Sequence, residues 1–140
     1  FRRLVFDEIC ANFITLSKNR IRIKKQKKKK KFYKRISEEI LRTLPYKLTA
    51  AQIKVLDEIN NDLKDNKRMF RILQGDVGSG KTIVSLLSIA NVIESKYQCA
   101  LMSPTEILSF QHFKLAKEVF KKSKIKIEFL SGKTELSCNI

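Results

Sequence analysis

The sequence holds one histidine and three cysteines, Cys10, Cys99 and Cys138, among 140 residues. The cysteines are far apart, with no CxxC pair and no histidine cluster beside them. That argues against zinc and against a metal cluster, and free thiols fit a reducing compartment. No apolar run approaches the roughly 20 residues of a membrane span, so no membrane partner is expected. Phe1-Arg2-Arg3 is followed at once by Asp7 and Glu8, whereas transit peptides are poor in acids. There is no initiating methionine, and Leu136 to Ile140 do not look like an ending. An internal piece of a longer protein is expected. Acids are few, 14 Asp and Glu against 30 Lys and Arg, for a net charge of +16. Such an excess points to a polyanion, either nucleic acid or an anionic membrane.

What is present is unevenly spread. Residues 18 to 35 carry twelve of the basic residues and no acid, and subtracting them from +16 leaves +4 for the rest. Hydrophobic residues make up 43%, enough for a packed core. Leu4, Phe6, Ile9, Cys10, Phe13 and Leu16 recur every three or four residues, predicting an amphipathic helix over 3–17. The lysine run that follows reads as a linker or a frayed helical extension, with non-specific DNA attraction as a second role. By composition alone Lys24 to Lys31 also fits a nuclear-localisation signal.

A short helix from Ser37, with that serine as its cap, runs to Leu44 before Pro45. Thr49 opens another, with Ile53, Leu56, Ile59 and Leu63 on one face, ended by Asn66. Met69–Gln74 and Cys99–Met102 read as short buried strands. Ile125, Ile127 and Phe129 alternate with Lys126 and Glu128 as in a third strand. Apolar helices fall between them, one on Ile83 to Ile93 and one over 106–122. Strand–helix–strand–helix–strand implies an α/β fold with a parallel sheet and right-handed crossovers.

Gly75-Asp76-Val77-Gly78-Ser79-Gly80-Lys81-Thr82 matches G-x-x-x-x-G-K-[ST]. Glycines let the backbone curl so that successive N–H groups face one anion. A helix N-terminus after the loop favours phosphate. Lys81 can reach the β and γ phosphates, and the Thr82 hydroxyl can ligate Mg²⁺. A chance match at a strand–helix turn is the plain alternative. The apolar run before the loop and the helix after it argue for phosphate. A triphosphatase also needs a later acid to hold the metal and orient water. No apolar run ending in Asp-Glu follows residue 82, so the chain alone is expected to lack hydrolysis.

Three segments together resemble the first motor lobe of the RecG-type DNA helicases of superfamily 2. They are Leu44-Pro45-Tyr46-Lys47-Leu48-Thr49-Ala50-Ala51-Gln52, Leu73 through Thr82, and Leu101-Met102-Ser103-Pro104-Thr105-Glu106-Ile107-Leu108-Ser109-Phe110-Gln111-His112-Phe113. Arg3-Leu4-Val5-Phe6-Asp7-Glu8 is similar to the start of the helix that precedes the motor in that family. The resemblance implies a partial RecA-like P-loop NTPase lobe over 36–140. Residues 1–35 would be a helix and basic linker from the preceding domain. It also implies ATP and Mg²⁺ as cofactors, branched or forked DNA as partner, and a bacterial cytoplasmic protein of recombination and fork repair.

By that resemblance Gln52 contacts adenine, Gly75 to Thr82 hold the phosphates, Lys81 and Thr82 act in catalysis, and Pro104, Thr105 and Glu106 touch the DNA backbone. Each assignment has a plain structural counterpart. Thr49-x-x-Gln52 is also a capping box, and Thr105-Glu106 also a helix start. Ser131-Gly132-Lys133 matches a glycine-centred family motif in part. His112, with no cluster around it, reads as a surface or packing residue. The rivals are a transcription-repair coupling translocase, a P-loop protein without a DNA role, and an inactive gene fragment.

Overall fold

The computed structural model of the chain describes residues 2–23, 31, 33–123 and 125–132. Phe1, Lys24 to Lys30, Lys133 and Leu136 to Ile140 with Cys138, all singled out above, lie outside the described residues. Five helices follow in order: α1 (Arg2–Ile23), α2 (Arg35–Thr43), α3 (Ala50–Lys64), α4 (Lys81–Glu94) and α5 (Glu106–Val119).

Helix α4 is the hub, and its sequence explains why. Ile83, Val84, Leu86, Leu87 and Ala90 are apolar on most sides of the cylinder, and each is buried. A helix apolar nearly all round must be covered nearly all round, and α4 packs against α2, α3 and α5. Ile40 comes from α2, Leu56 and Ile59 from α3, and Ala116 and Phe120 from α5 and its C-cap. Each large aliphatic side chain so buried contributes roughly 1.5–3 kcal/mol.

The ends of the helices follow local chemistry. Thr49 caps α3 in a complete capping box: the Gln52 amide donates to Thr49 Oγ1 at 3.2 Å and the Thr49 amide to Gln52 Oε1 at 2.8 Å. Ser37 does not cap α2. The N-cap is Lys34, which provides no side-chain cap, and Ser37 lies inside the first turn with its buried hydroxyl donating to Lys34 O at 2.9 Å. A carboxylate from elsewhere takes over: the Ile36 amide donates to Glu94 Oε2 at 3.0 Å, placing negative charge at the positive end of α2. Helix α4 ends in a Schellman arrangement, with Tyr97 N donating to Val92 O and Lys96 N to Ile93 O. Lys96 occupies the left-handed position there, at φ 66°.

The expected α/β architecture is corrected. Among the described residues there is no strand and no sheet, only a lone bridge at Lys67. Met69–Gln74, Cys99–Met102 and residues 125–129 are irregular. An apolar run or a two-residue alternation states which side chains suit a sheet. A strand exists only when a neighbour accepts and donates its ladder hydrogen bonds, and these segments do not pair. Phe70, Ile72, Leu101 and Met102 consequently stand exposed. The alternation over 125–129 is nonetheless visible: Ile125 and Ile127 pack against the core while Lys126 and Glu128 point outward and pair at 2.8 Å.

Helix α1 is longer than its apolar spacing predicted, and none of its described side chains joins the core. Leu4, Phe6, Ile9, Phe13 and Leu16 are all exposed. No described helix is long and apolar enough to cross a membrane.

Candidate nucleotide-phosphate site

The loop from Gly75 to Gly80 leads directly into the first turn of α4. Its curl depends on two backbone conformations that L side chains avoid: Gly78 has φ +81° and Gly80, the N-cap of α4, φ +80°. Glycine adopts both without steric cost. At Gly80 there is a second reason, because a Cβ would collide with Gln52 Nε2. The Ser79 amide closes the turn onto Asp76 O at 3.2 Å.

Lys81, at the first position of α4, folds back across the loop. Its ammonium donates to Gly75 O at 2.9 Å and Asp76 O at 2.6 Å, and stands 3.4 Å from Ser79 Oγ. The next residue, Thr82, is half-buried, and no hydrogen bond among the described residues engages its hydroxyl. The unpaired amides of the first turn of α4 point the same way as any helix start, toward an anion.

Gln52 joins this site from α3. Beyond its capping role, its Nε2 donates to Ser79 O at 2.9 Å. The structure thus brings Gln52 together with Gly75, Asp76, Val77, Gly78, Ser79, Gly80, Lys81 and Thr82. It does not join Pro104, Thr105 and Glu106 to them by any hydrogen bond among the described residues. Those three residues are exposed, at the start of α5, where Thr105 Oγ1 accepts from the Leu108 amide at 3.3 Å. His112 is half-buried and lines a mixed polar and apolar cavity of about 300 Å³ between α4, α5 and residues 99–103 and 125–130. Phe113, Phe120 and Ile127 line it too, and the phosphate loop is not part of it. Burial pushes the Cys99 thiol in its wall up from the ordinary value.

Two contacts of the site region went unforeseen from the sequence. Arg71, four residues ahead of Gly75, is held between Asp62 and Glu58 of α3, each at 2.7 Å. Asn91 of α4, fully buried, donates through Nδ2 to Asn60 Oδ1 of α3 at 2.8 Å, while its own Oδ1 has no partner among the described residues. The spacing of Glu58 and Asp62, four apart on one helix face, was the available signal for the first. For the second, Asn60 and Asn91 fall on otherwise apolar faces.

The profile of the DEAD/DEAH box helicase family matches residues 49–139. The chain is also similar to proteins named ATP-dependent DNA helicase RecG. It is 41% identical to that of Thermotoga maritima over 137 residues, which is 94% of this chain and 17% of the relative. With that of Synechocystis it shares 38% over 136 residues, 96% of this chain and 16% of the relative. With that of Mycobacterium bovis it shares 46% over 84 residues, 60% of this chain and 11% of the relative. The chain therefore spans about a sixth of the length of the relatives it matches over most of its own length.

Proposed function

We propose that this chain, which belongs to the DEAD/DEAH box helicase family, is the nucleotide-binding opening of the motor of an ATP-dependent DNA helicase of the RecG type. Residues 36–140 would belong to the first motor lobe, and residues 1–35 to the region that precedes it. The observation that carries the reading is the loop itself, with two positive-φ glycines leading into α4 and Lys81 folded across it. The residues fit a metal-bound triphosphate. Lys81 supplies the cation for the β and γ phosphates, and the unengaged Thr82 hydroxyl offers Mg²⁺ a hard oxygen ligand. Bound Mg²⁺ would neutralise phosphate charge as it develops. Gln52, already at the loop, would face adenine.

Pro104, Thr105 and Glu106, at an exposed helix start, would contact the DNA backbone. Branched or forked duplex is the proposed substrate, and the bacterial cytoplasm the proposed location. The RecG name carried by the relatives above favours this reading over a coupling translocase. In the full-length protein, Lys81→Ala is expected to abolish ATP hydrolysis while leaving DNA affinity within about twofold, because it removes charge stabilisation at the phosphates alone. Phosphate release and DNA-binding titrations measure the two separately. Unchanged turnover would overturn the assignment.

A further inference from the structure

Helix α3 grips the phosphate loop on both sides of its turn. After the turn, Gln52 Nε2 holds Ser79 O. Before it, Arg71 sends Nε to Asp62 Oδ2 and Nη1 to Glu58 Oε2. The chain from Arg71 to Ser79 is thus tied at both ends to one helix, along a stretch from Gln52 to Asp62 that spans roughly 15 Å at the helical rise. Asn60, between the two carboxylates in sequence, locks the same helix to α4 through the buried bond to Asn91. The helix that starts at Lys81 and the loop that precedes it are therefore both referenced to α3.

We propose that Arg71, Glu58 and Asp62 form a positioning clamp for the phosphate loop, which sets nucleotide affinity and the preference for adenine over guanine. The proposal rests on the nucleotide-binding reading above. Gln52 and the loop backbone keep their relative placement through α3. If α3 slides or rolls by an ångström, the base contact and the phosphate contacts can no longer be made together in their best geometry. A planar guanidinium shared by two carboxylates fixes direction as well as distance, which an ammonium does not. The hydrogen bond with Asp62, aided by the charges of both carboxylates, raises the Arg71 pKa above its ordinary value, so the guanidinium stays charged. All three side chains are more than a third exposed or nearly so, so the clamp weakens with salt.

The test uses the full-length protein, titrated with mant-ADP and mant-GDP and followed by thermal melting and DNA binding. Arg71→Gln is expected to weaken mant-ADP on the order of fivefold and mant-GDP less, narrowing the adenine preference. Glu58→Gln with Asp62→Asn should match it, and all three changes together should be no worse than either, since they remove one device. Arg71→Lys should fall between Arg71→Gln and wild type. Lys81→Ala should weaken both nucleotides alike. Unchanged mant-ADP affinity in Arg71→Gln, while Lys81→Ala has lost it, overturns the clamp alone. So does an equal loss of both nucleotides accompanied by a lower melting temperature, which marks a purely structural role. A wild-type protein that binds neither nucleotide overturns the nucleotide-binding reading, and the clamp with it.

Discussion

Residues 35–96 and residues 97–132 each place a short apolar run before an apolar helix, yet they end differently. In the first stretch the helix is enclosed, with Leu86 and Leu87 1% and 0% exposed, although Ile72 in the run before it is 79% exposed. In the second, Ala116, Phe120, Ile125 and Ile127 reach the core and Phe110, Phe113 and Phe129 meet one another, but the run and the helix start stay open: Met102 and Ile107 are 89% and 74% exposed. The difference lies in what each helix finds on its far side. Helix α4 is enclosed by α2, α3 and α5, whereas α5 reaches the core through Ala116 and Phe120 near its end. The phosphate loop is thereby built on a packed base, while Pro104 to Glu106 sit on the first turn of a helix whose leading half is open to solvent. Those two settings would suit the precise phosphate geometry and the looser DNA-backbone contact proposed above.

The largest test of this contrast removes packing from each side. Leu87→Ala should destabilise the chain by about 2–5 kcal/mol, the cost of a large-to-small change at a fully buried site. Met102→Ala should stay within about 0.5 kcal/mol. Urea unfolding midpoints compare the two directly, and equal losses would erase the distinction.

That contrast also separates what could be read in the sequence from what could not. Helices α2 to α5 were legible, because each carries its own period and several carry their own caps; Thr49 with Gln52 and Thr105 act as their residue types predict. The glycines of the loop were legible because only glycine tolerates the backbone at Gly78 and Gly80. The strands were misread, because Ile72 or Met102 cannot report whether a neighbouring chain offers hydrogen bonds. Arg71 was silent for a related reason: its partners lie nine and thirteen residues back on α3, and only the packed helix turns them toward it. Ser37 was misread as a cap, because the free amide at Ile36 is met by Glu94, fifty-eight residues away.

Lys96 marks the border between the two stretches, and it offers a gain. A lysine at φ 66° holds a position that glycine fills without strain. Lys96→Gly should stabilise the chain by about 1 kcal/mol, less the entropy that glycine gains in the unfolded state. A lower unfolding midpoint would mean that the Lys96 side chain supplies something its backbone does not show.

Smaller and more discriminating is the comparison of caps. Thr49→Ala and Thr105→Ala each remove one accepted amide hydrogen bond, worth about 0.5–2 kcal/mol. Thr49 also shares its box with Gln52, so Thr49→Ala should cost more and should weaken nucleotide binding. Thr105→Ala should weaken DNA binding instead. Fluorescence titrations with nucleotide and with duplex DNA read the two columns apart, and identical profiles would merge the sites.

The smallest effect is expected at Glu128. The hydrogen bond from Lys126, then its charge, holds the Glu128 carboxyl below the usual carboxylate value. Any stability from a lowered pKa is present above the ordinary glutamate value and is lost as pH falls through the lowered one. The two side chains are 84% and 74% exposed, however, and solvent screens such pairs almost completely. Glu128→Gln should leave the unfolding midpoint unchanged at pH 7, and a measurable drop would show that residues 125–130 are tied down more firmly than their exposure indicates.

The Lys81 ammonium, with its three donors turned to Gly75 O, Asp76 O and Ser79 Oγ, would make the proposed nucleotide capture an exchange and not a simple addition. An incoming phosphate must displace at least one of those acceptors, since an ammonium has no fourth donor. The displaced carbonyls lie on an exposed turn, so water takes them up at little cost. Under the proposed function, a polyphosphate would place oxygens of more than one phosphoryl group against the ammonium and the loop amides together, which offsets that displacement more fully than a single anion would. The loop's own backbone would thus compete with the ligand, a threshold that would favour ligands with more than one phosphate if the proposed function holds.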